Sequence, residues 1–244
     1  MNDYAEEIKI AHAIAFYEND ALVGEMTVAL VAEGQRILQI FRFSEDDAEH
    51  VAALATLARF PNSAHVLDIG CGVGAVAEIM HALRPDLSFT LQNCSAAQLA
   101  LCQDFPKIHG DMEAIDAPDG AFDGVMANYA MGHADLQPFL REAARVLRPG
   151  GVFFAYDLTT LNVRGFAEAL GYVPYVPEDV VRAARAAGFA ETESVELPQA
   201  CISSFWRAGC AAMPERAGVA LKAMPIAYRF VREGPQMAAG GQQA

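Results

Sequence analysis

Between residues 65 and 75 the chain reads His65-Val66-Leu67-Asp68-Ile69-Gly70-Cys71-Gly72-Val73-Gly74-Ala75. A short apolar run is closed by glycines at alternate positions and followed by a helix-forming segment. No other stretch restricts the fold so tightly. Val66–Ile69 predicts a buried strand and Ala75–Leu83 a helix. The glycines between them let the backbone turn sharply and approach a ligand with no Cβ in the way. Asp68, at the end of the strand, places a carboxylate beside that ligand.

The pattern repeats downstream in kind. Strands are predicted at Ser88–Gln92, near Ile108, at Phe122–Ala127, Val152–Tyr156 and Ala190–Leu197, with helices at Ser95–Gln103, Leu136–Leu147 and Glu178–Ala187. Ile226–Val231 reads as a last strand and 200–222 as mostly helical. Alternation of this kind gives an α/β, doubly wound, Rossmann-like parallel sheet with helices on both faces. Right-handed crossovers bring the first strand's end to the topological switch point, where such folds bind ligands. Residues 1–60 stand outside the alternation. Apolar positions from Ile8 to Phe41 follow a helical spacing, and a further helix is predicted from Ser44, as N-cap, to about Arg59 before Pro61. The expected organisation is an N-terminal helical cap over 1–60, one α/β domain over 61–232 and a flexible tail over 233–244, which has little to bury.

Composition narrows the class of partner. The 244 residues are 53% hydrophobic, ample for one full-sized core. No run approaches the roughly 20 apolar residues of a membrane span, and the acidic start shows no signal peptide. Five scattered cysteines without a C-x-x-C pair argue against disulfides or structural zinc and fit a cytoplasmic protein. A formal charge of −14 repels phosphate backbones, which argues against nucleic acid as a partner. A small-molecule substrate is expected, and a homo-oligomer is left open. One segment runs against the overall charge: between Cys201 and Arg232, Arg207, Arg216, Lys222, Arg229 and Arg232 face one acid, Glu215, a local balance of +4.

The glycines alone leave two readings of the loop. Gly70-x-Gly72-x-x-Ala75 also satisfies a dinucleotide-binding fingerprint, which expects an acid about 20 residues on. Leu91-Gln92-Asn93-Cys94-Ser95 supplies none. Taken together, Asp68-x-Gly70-x-Gly72-x-Gly74, Gly110-Asp111-Met112-Glu113, Ala121-Phe122-Asp123-Gly124-Val125, Glu142 and Arg145-Val146-Leu147-Arg148-Pro149-Gly150-Gly151 resemble, in order and spacing, the motifs of class I S-adenosylmethionine-dependent methyltransferases. By that resemblance the cofactor is S-adenosyl-L-methionine, whose amino group and sulfonium suit the Asp68 carboxylate. Gly70 and Gly72 would line its methionine part, Gln92 and Asn93 would meet the ribose, and Asp111 would accept from the adenine amine with Met112 on the ring. Asn128 is counted with this cofactor set.

The segment Leu91–Gln98 lacks an acid and ends in Ser95-x-x-Gln98. In this it resembles the alkene C-methyltransferases: geranyl-diphosphate, sterol and cyclopropane fatty-acid types. The resemblance adds Gln98 to the cofactor residues, although Ser95 and Gln98 also read as a capping box. After the fourth strand, Asn128-Tyr129-Ala130-Met131-Gly132-His133 falls at the switch-point crevice, which makes Tyr129 and His133 the candidate catalytic residues. Those enzymes often have a glutamate near the place of Tyr129. An oxygen or nitrogen nucleophile needs a base, for which His133 is suited. An alkene nucleophile yields a carbocation that aromatic faces stabilise, and Phe16, Tyr17, Phe205 and Trp206, with Arg207 for an anionic group, are the candidate substrate residues. The sequence thus predicts methylation of a small molecule, with a prenyl diphosphate or lipid-like alkene leading and Mg²⁺ as a further ligand if a diphosphate is bound. O- or N-methylation of a polar metabolite, or a binding module of the same fold, remain the alternatives.

Overall fold

The computed structural model describes residues 20–212, 219 and 222–234. The expected early helix positions Ile8, Ile10 and Ile14, the tail beyond Gly234, Phe16, Tyr17 and Arg216 lie outside these residues. The elements are α1 (Asp20–Ala32), β1 (Phe41–Arg42), α2 (Asp47–Ala58), β2 (His65–Ile69), α3 (Ala75–Leu83), β3 (Ser88–Asn93), α4 (Ala96–Leu101), β4 (Lys107–His109) and β5 (Phe122–Asn128). A 3-10 turn at Met131–His133 leads to α5 (Leu136–Val146), β6 (Leu147–Thr159), α6 (Val163–Leu170), α7 (Pro177–Ala186), β7 (Phe189–Glu196), β8 (Cys201–Ile202), α8 (Ser204–Ala212) and β9 (Met224–Arg232).

Seven strands form one sheet in the order β4-β3-β2-β5-β6-β9-β7. The first five run parallel, and β9 is antiparallel to both β6 and β7. The order reverses at β2, which has β3 on one side and β5 on the other, so a crevice opens beyond their C-terminal ends. Alternate side chains fill a core on each face. Leu67, Val125 and Phe153 pack on one side with Phe139 and Val180. Val66, Met126 and Phe154 pack on the other with Leu54, Met80 and Leu99.

Helix α2 lies within this second layer, because Val51, Leu54 and Ala58 are fully buried in the core. Its N-cap is Asp46, which accepts from the Glu49 amide, and not Ser44, whose hydroxyl bonds the Asp46 amide and the Glu49 carboxylate instead. An Asp two residues nearer the helix satisfies the same orphan donor and takes the position.

Three other expectations are corrected. Residues 35–40 carry no helix: Gly34, at φ +81°, ends α1, and the chain then runs extended into β1. There Phe41 and Arg42 pair with Ile202 and Cys201 in a two-stranded ribbon, which makes the start of the 200–222 segment a strand. Helix α6 was not expected. It starts at Asn162, whose side chain accepts from the Gly165 amide, and stops at Gly171 in the left-handed region. Among the described residues no helix is long and apolar enough to cross a membrane.

Candidate active site

One cavity of about 710 Å³ runs from the loop after β2 to Leu38, Ile40 and Trp206, which flank the β1–β8 ribbon in the chain. At its first end the backbone makes room. Gly70 has φ +65° and Gly72 φ +57°, conformations that side chains resist. A Cβ on Gly70 would lie 2.7 Å from Ala130 Cβ, whereas one on Gly72 would meet nothing within 4 Å. Gly72 is therefore bare on the side facing the cavity. From behind, the Sγ atoms of Cys71 and Cys102 both approach its carbonyl at 3.6 Å.

Asp68 lies on the same wall, 2% exposed, and its Oδ2 has no hydrogen-bond partner. Burial pushes this carboxyl well above the usual carboxylate range. Asn128, at the end of β5, lines the cavity with both side-chain polar atoms unpartnered. Buried polar atoms are nearly always satisfied. An acid and an amide left unpaired on one wall are donors and acceptors suited to a polar, cationic ligand.

The end of β3 behaves differently from what the sequence predicts. Gln92 is fully buried and does not line the cavity. Its amide donates to the Gly110 carbonyl at 2.5 Å and accepts from the Gly70 amide at 3.3 Å, tying two loops together. Adjacent residues of a strand point to opposite faces, and of the pair only Asn93 reaches the wall. The Asn93 amide donates to Gly72 O (3.3 Å) and to Gln98 Oε1 (2.9 Å), and Gln98 Nε2 donates to Thr27 Oγ1 (3.2 Å). A polar chain thus links the glycine loop to α1. That helix is also held by Asp20, which accepts from Ser95 Oγ at 2.5 Å and from the Ala97 amide at 3.1 Å. Thr27→Val leaves a Gln98 N–H unpaired in a half-buried place, at a cost of about 1–2 kcal/mol. Calorimetry with S-adenosylhomocysteine is expected to show a several-fold weaker affinity, with the melting temperature lowered by several degrees.

Asp111 and Met112 line the cavity as predicted, Met112 buried and Asp111 on the rim. The later motif residues explain how this loop is held. Glu142 accepts from the Ile115 amide at 3.0 Å, and Arg145 donates to the carbonyls of Ile115 and Ala117 at 2.8 and 2.7 Å. They clamp the loop; neither lines the cavity.

The far end of the cavity is apolar. Leu38, Ile40, Leu158, Phe166, Leu170 and Trp206 contribute to it. Trp206 is positioned by its indole N–H, which donates to Leu38 O at 2.8 Å. Tyr129 and His133 stand on the wall between the two ends, as expected. The Tyr129 hydroxyl accepts from the Phe41 amide at 3.0 Å, and its ring lies 5.5 Å from that of Tyr156. Burial pushes its ionisation far above the ordinary range. What the fold gives Tyr129 is an anchoring role for β1. The His133 ring meets Tyr172 edge-on at 4.9 Å, and the Tyr172 hydroxyl donates to Asp157.

Several predicted substrate residues stand elsewhere. Phe205 is half-buried, edge-on to Trp206, and off the wall. Arg207 is exposed, donating to Ile202 O at 2.8 Å and paired with Glu45 at 3.7 Å. Arg229 and Arg232 point to the carbonyls of Ala58 and Leu147, and neither they nor the exposed Lys222 line the cavity. Among the described residues the one guanidinium on the wall is that of Arg36, and Glu78 pairs it. The sequence reading missed Arg36, Phe166 and Tyr172. The left-handed stop at Gly34 and the Asn162 and Gly171 caps were the signals available for the segments that carry them.

Residues 67–155 match the family model described as "Methyltransferase domain". This stretch is a methyltransferase domain. Sterol 24-C-methyltransferase erg6 of Aspergillus fumigatus is 32% identical over 125 residues, 47% of this chain and 33% of the relative. Malonyl-[acyl-carrier protein] O-methyltransferase of Dechloromonas aromatica is 34% identical over 89 residues, covering 36% and 34%. The chain thus spans about a third of the length of these curated relatives. Among solved structures, the [4+2]-cyclase SpnF superposes with a TM-score of 0.68 at 19% identity, over 86% of this chain and 93% of that one. Geranyl diphosphate C-methyltransferase of Streptomyces coelicolor A3(2) gives 0.63 at 14%, over 76% and 79%. The methyltransferase domain has the Rossmann-like fold of the class I S-adenosylmethionine-dependent enzymes, and its sequence resembles the alkene C-methyltransferases among them.

Proposed function

We propose that the protein is an S-adenosylmethionine-dependent methyltransferase acting on a small, largely apolar molecule, with C-methylation of an isoprenoid or lipid-like alkene as the leading reading. The carrying observation is the single cavity that joins the unpaired Asp68 and bare Gly72 at one end to the apolar wall at the other. The donor set suits the cofactor: Asp68 for its cationic groups, Asn93 for the ribose, Asp111 and Met112 for the adenine, and Asn128 for a further polar contact. The bound cofactor supplies an already activated methyl group. The chain's own work is to align the nucleophile with it and exclude water. Tyr129, Tyr172, Phe166 and Trp206 give the substrate end aromatic faces, which favour a developing cation by about 0.5–2 kcal/mol each. Residues 20–43 support a covering role for the N-terminal segment, because α1 and the extended stretch after it form one side of the cavity.

A prenyl diphosphate was the sharpest form of the sequence reading, and the placement of the basic residues does not favour it. Buried phosphates need paired cations, and among the described residues the wall offers one guanidinium, already bonded to Glu78. Among the described residues no three His, Cys, Asp or Glu side chains gather as metal ligands. The neutral alkene is the better supported substrate.

The test is incubation with methyl-labelled cofactor and a panel of sterols, unsaturated fatty acids, prenyl alcohols, prenyl diphosphates and phenols. Turnover of a neutral alkene, unchanged in Arg207→Ala and Arg229→Ala, is the expected result. Turnover restricted to diphosphates and lost in those variants would overturn the neutral-substrate reading. Preference for a phenol would point to O-methylation, which His133 on the wall favours. Cofactor binding without turnover of any member would leave a binding role.

A further inference from the structure

The proposed transfer leaves a proton to be removed, whether the nucleophile is a hydroxyl, an amine or an alkene that becomes a cation. The wall holds one group already wired to a proton acceptor. Tyr172, 6% exposed, lines the substrate end of the cavity, and its hydroxyl donates to Asp157 Oδ1. Asp157, on β6, is 1% exposed; the same oxygen accepts from the Leu158 amide at 2.7 Å, and Oδ2 has no partner. The Tyr172 ring is fixed from beneath. It rests on Gly132, where any Cβ would run into it, and the next amide, Val173 N–H, donates to Gly132 O at 3.0 Å. A carboxylate hidden behind a tyrosine on a cavity wall is costly to the fold, and packing alone gives no reason for it.

We propose that Tyr172 and Asp157 form the proton-accepting pair of the site, with Tyr172 the catalytic residue that meets the substrate and Asp157 the positioning residue behind it. This rests on the methyltransferase reading above. As the nucleophile's electron pair forms the new bond to the methyl carbon, the pair of the old carbon–sulfur bond returns to sulfur. The substrate's spare proton passes to Tyr172 Oη while the Oη proton passes to Asp157 Oδ1. Tyrosine ends neutral, as it began, and the carboxylate ends as the acid. That proton leaves to solvent after the product.

The neighbours of Asp157 suit the role. Burial raises its carboxyl to about 7, opposed by the Tyr172 hydroxyl and by the Leu158 and Met131 amides. Tyr228 on β9 and Tyr129 after β5 also feel its charge, and both stay neutral because burial holds their ionisation far up. The His133 ring stands edge-on to the Tyr172 ring, with centroids 4.9 Å apart. A base of this kind works when deprotonated, so turnover is expected to rise with pH through about 7 and then level.

The experiment uses the full chain, Tyr172→Phe and Asp157→Asn, each first checked for a melting transition and for S-adenosylhomocysteine binding by calorimetry. The infrared carbonyl band of a buried protonated carboxyl, absent from Asp157→Asn, is followed against pH. In the parent protein it should fade around pH 7, and in Tyr172→Phe at higher pH, because the hydrogen bond that favours the ionised form is gone. With the panel member turned over best, Tyr172→Phe should lose about a hundredfold in kcat with KM within about threefold. Asp157→Asn should lose the pH-dependent rise. A Tyr172→Phe protein with parental kcat, or an Asp157 band that fades near pH 4, overturns the proposal alone. Intact cofactor binding with no turnover of any panel member removes the methyltransferase reading, and the proposal falls with it.

Discussion

Gly72→Val is expected to give a folded protein that no longer retains S-adenosylmethionine. The two glycines of the loop predict opposite kinds of failure. At Gly70 a side chain strikes Ala130 at 2.7 Å, so substitution there disturbs the fold itself. At Gly72 a Cβ meets no protein atom within 4 Å, and the added methyls project into the cavity. The left-handed backbone at φ +57° adds strain of about 1–2 kcal/mol, and forcing atoms into space a ligand needs costs about 1–3 kcal/mol more. The strain falls on free and bound protein alike and lowers stability, so the clash alone sets the affinity, a loss of roughly five-fold to 160-fold. Calorimetry reads the loss, and circular dichroism checks that the fold survives. Binding within a factor of three of the parent would mean that the ligand does not approach the chain at Gly72.

The second large effect belongs to Asp68→Asn, and its sign differs between binding and stability. In the ligand-free protein the folded carboxyl titrates above its unfolded value. Such a group contributes most below the unfolded value, and its contribution is lost as pH rises through the folded one. At neutral pH, therefore, an isosteric amide should melt higher than the parent. The amide has no charge for the cofactor's cationic groups, and a charge-assisted contact of about 1.5–3 kcal/mol is lost, roughly ten- to a hundredfold in affinity. Ionisation of Asp68 on binding also releases a proton. Calorimetry in two buffers of different ionisation enthalpy should show that release in the parent and not in Asp68→Asn. A variant that binds normally, or melts lower, would place the cofactor's charge elsewhere.

Much of the glycine-loop half of the cavity was legible because its residues are close in sequence. Asp68, Gly70 and Gly72 sit on one turn, and strand–helix alternation fixes where Asn93, Met112 and Asn128 emerge. Even here the alternation was not followed to its end: Gln92 and Asn93 were grouped, although strand geometry sends one inwards and the other to the wall. The apolar half was hardly legible. Ile37, Leu38 and Ile40 have the composition of a helix face, and what makes them extended is the stop at Gly34 and pairing with a strand far along the chain. Apolar wall residues such as Phe166 and Leu170 look like core residues in any window. The basic cluster at 201–232 misled for a similar reason. Net charge says how many cations a segment has, and β9 and α8 decide which way they point.

The ribbon and the segments that flank it join distant parts of the chain. Ser203 Oγ donates to Gln39 O across 164 residues, and Trp206 Nε1 reaches Leu38 O across 168. Contacts of such separation carry a high loop-closure cost until the structure between them has formed. The ribbon itself has two residues in each strand, too few to stand without the sheet beneath it. In folding, the roof of the chamber must follow the sheet, and during synthesis the carbonyls of Leu38 and Gln39 lack their partners Trp206 and Ser203 until the ribosome has passed residue 206. Until then the crevice at the ends of β2 and β5 lies open, and a chain ended before β8 would lack the roof.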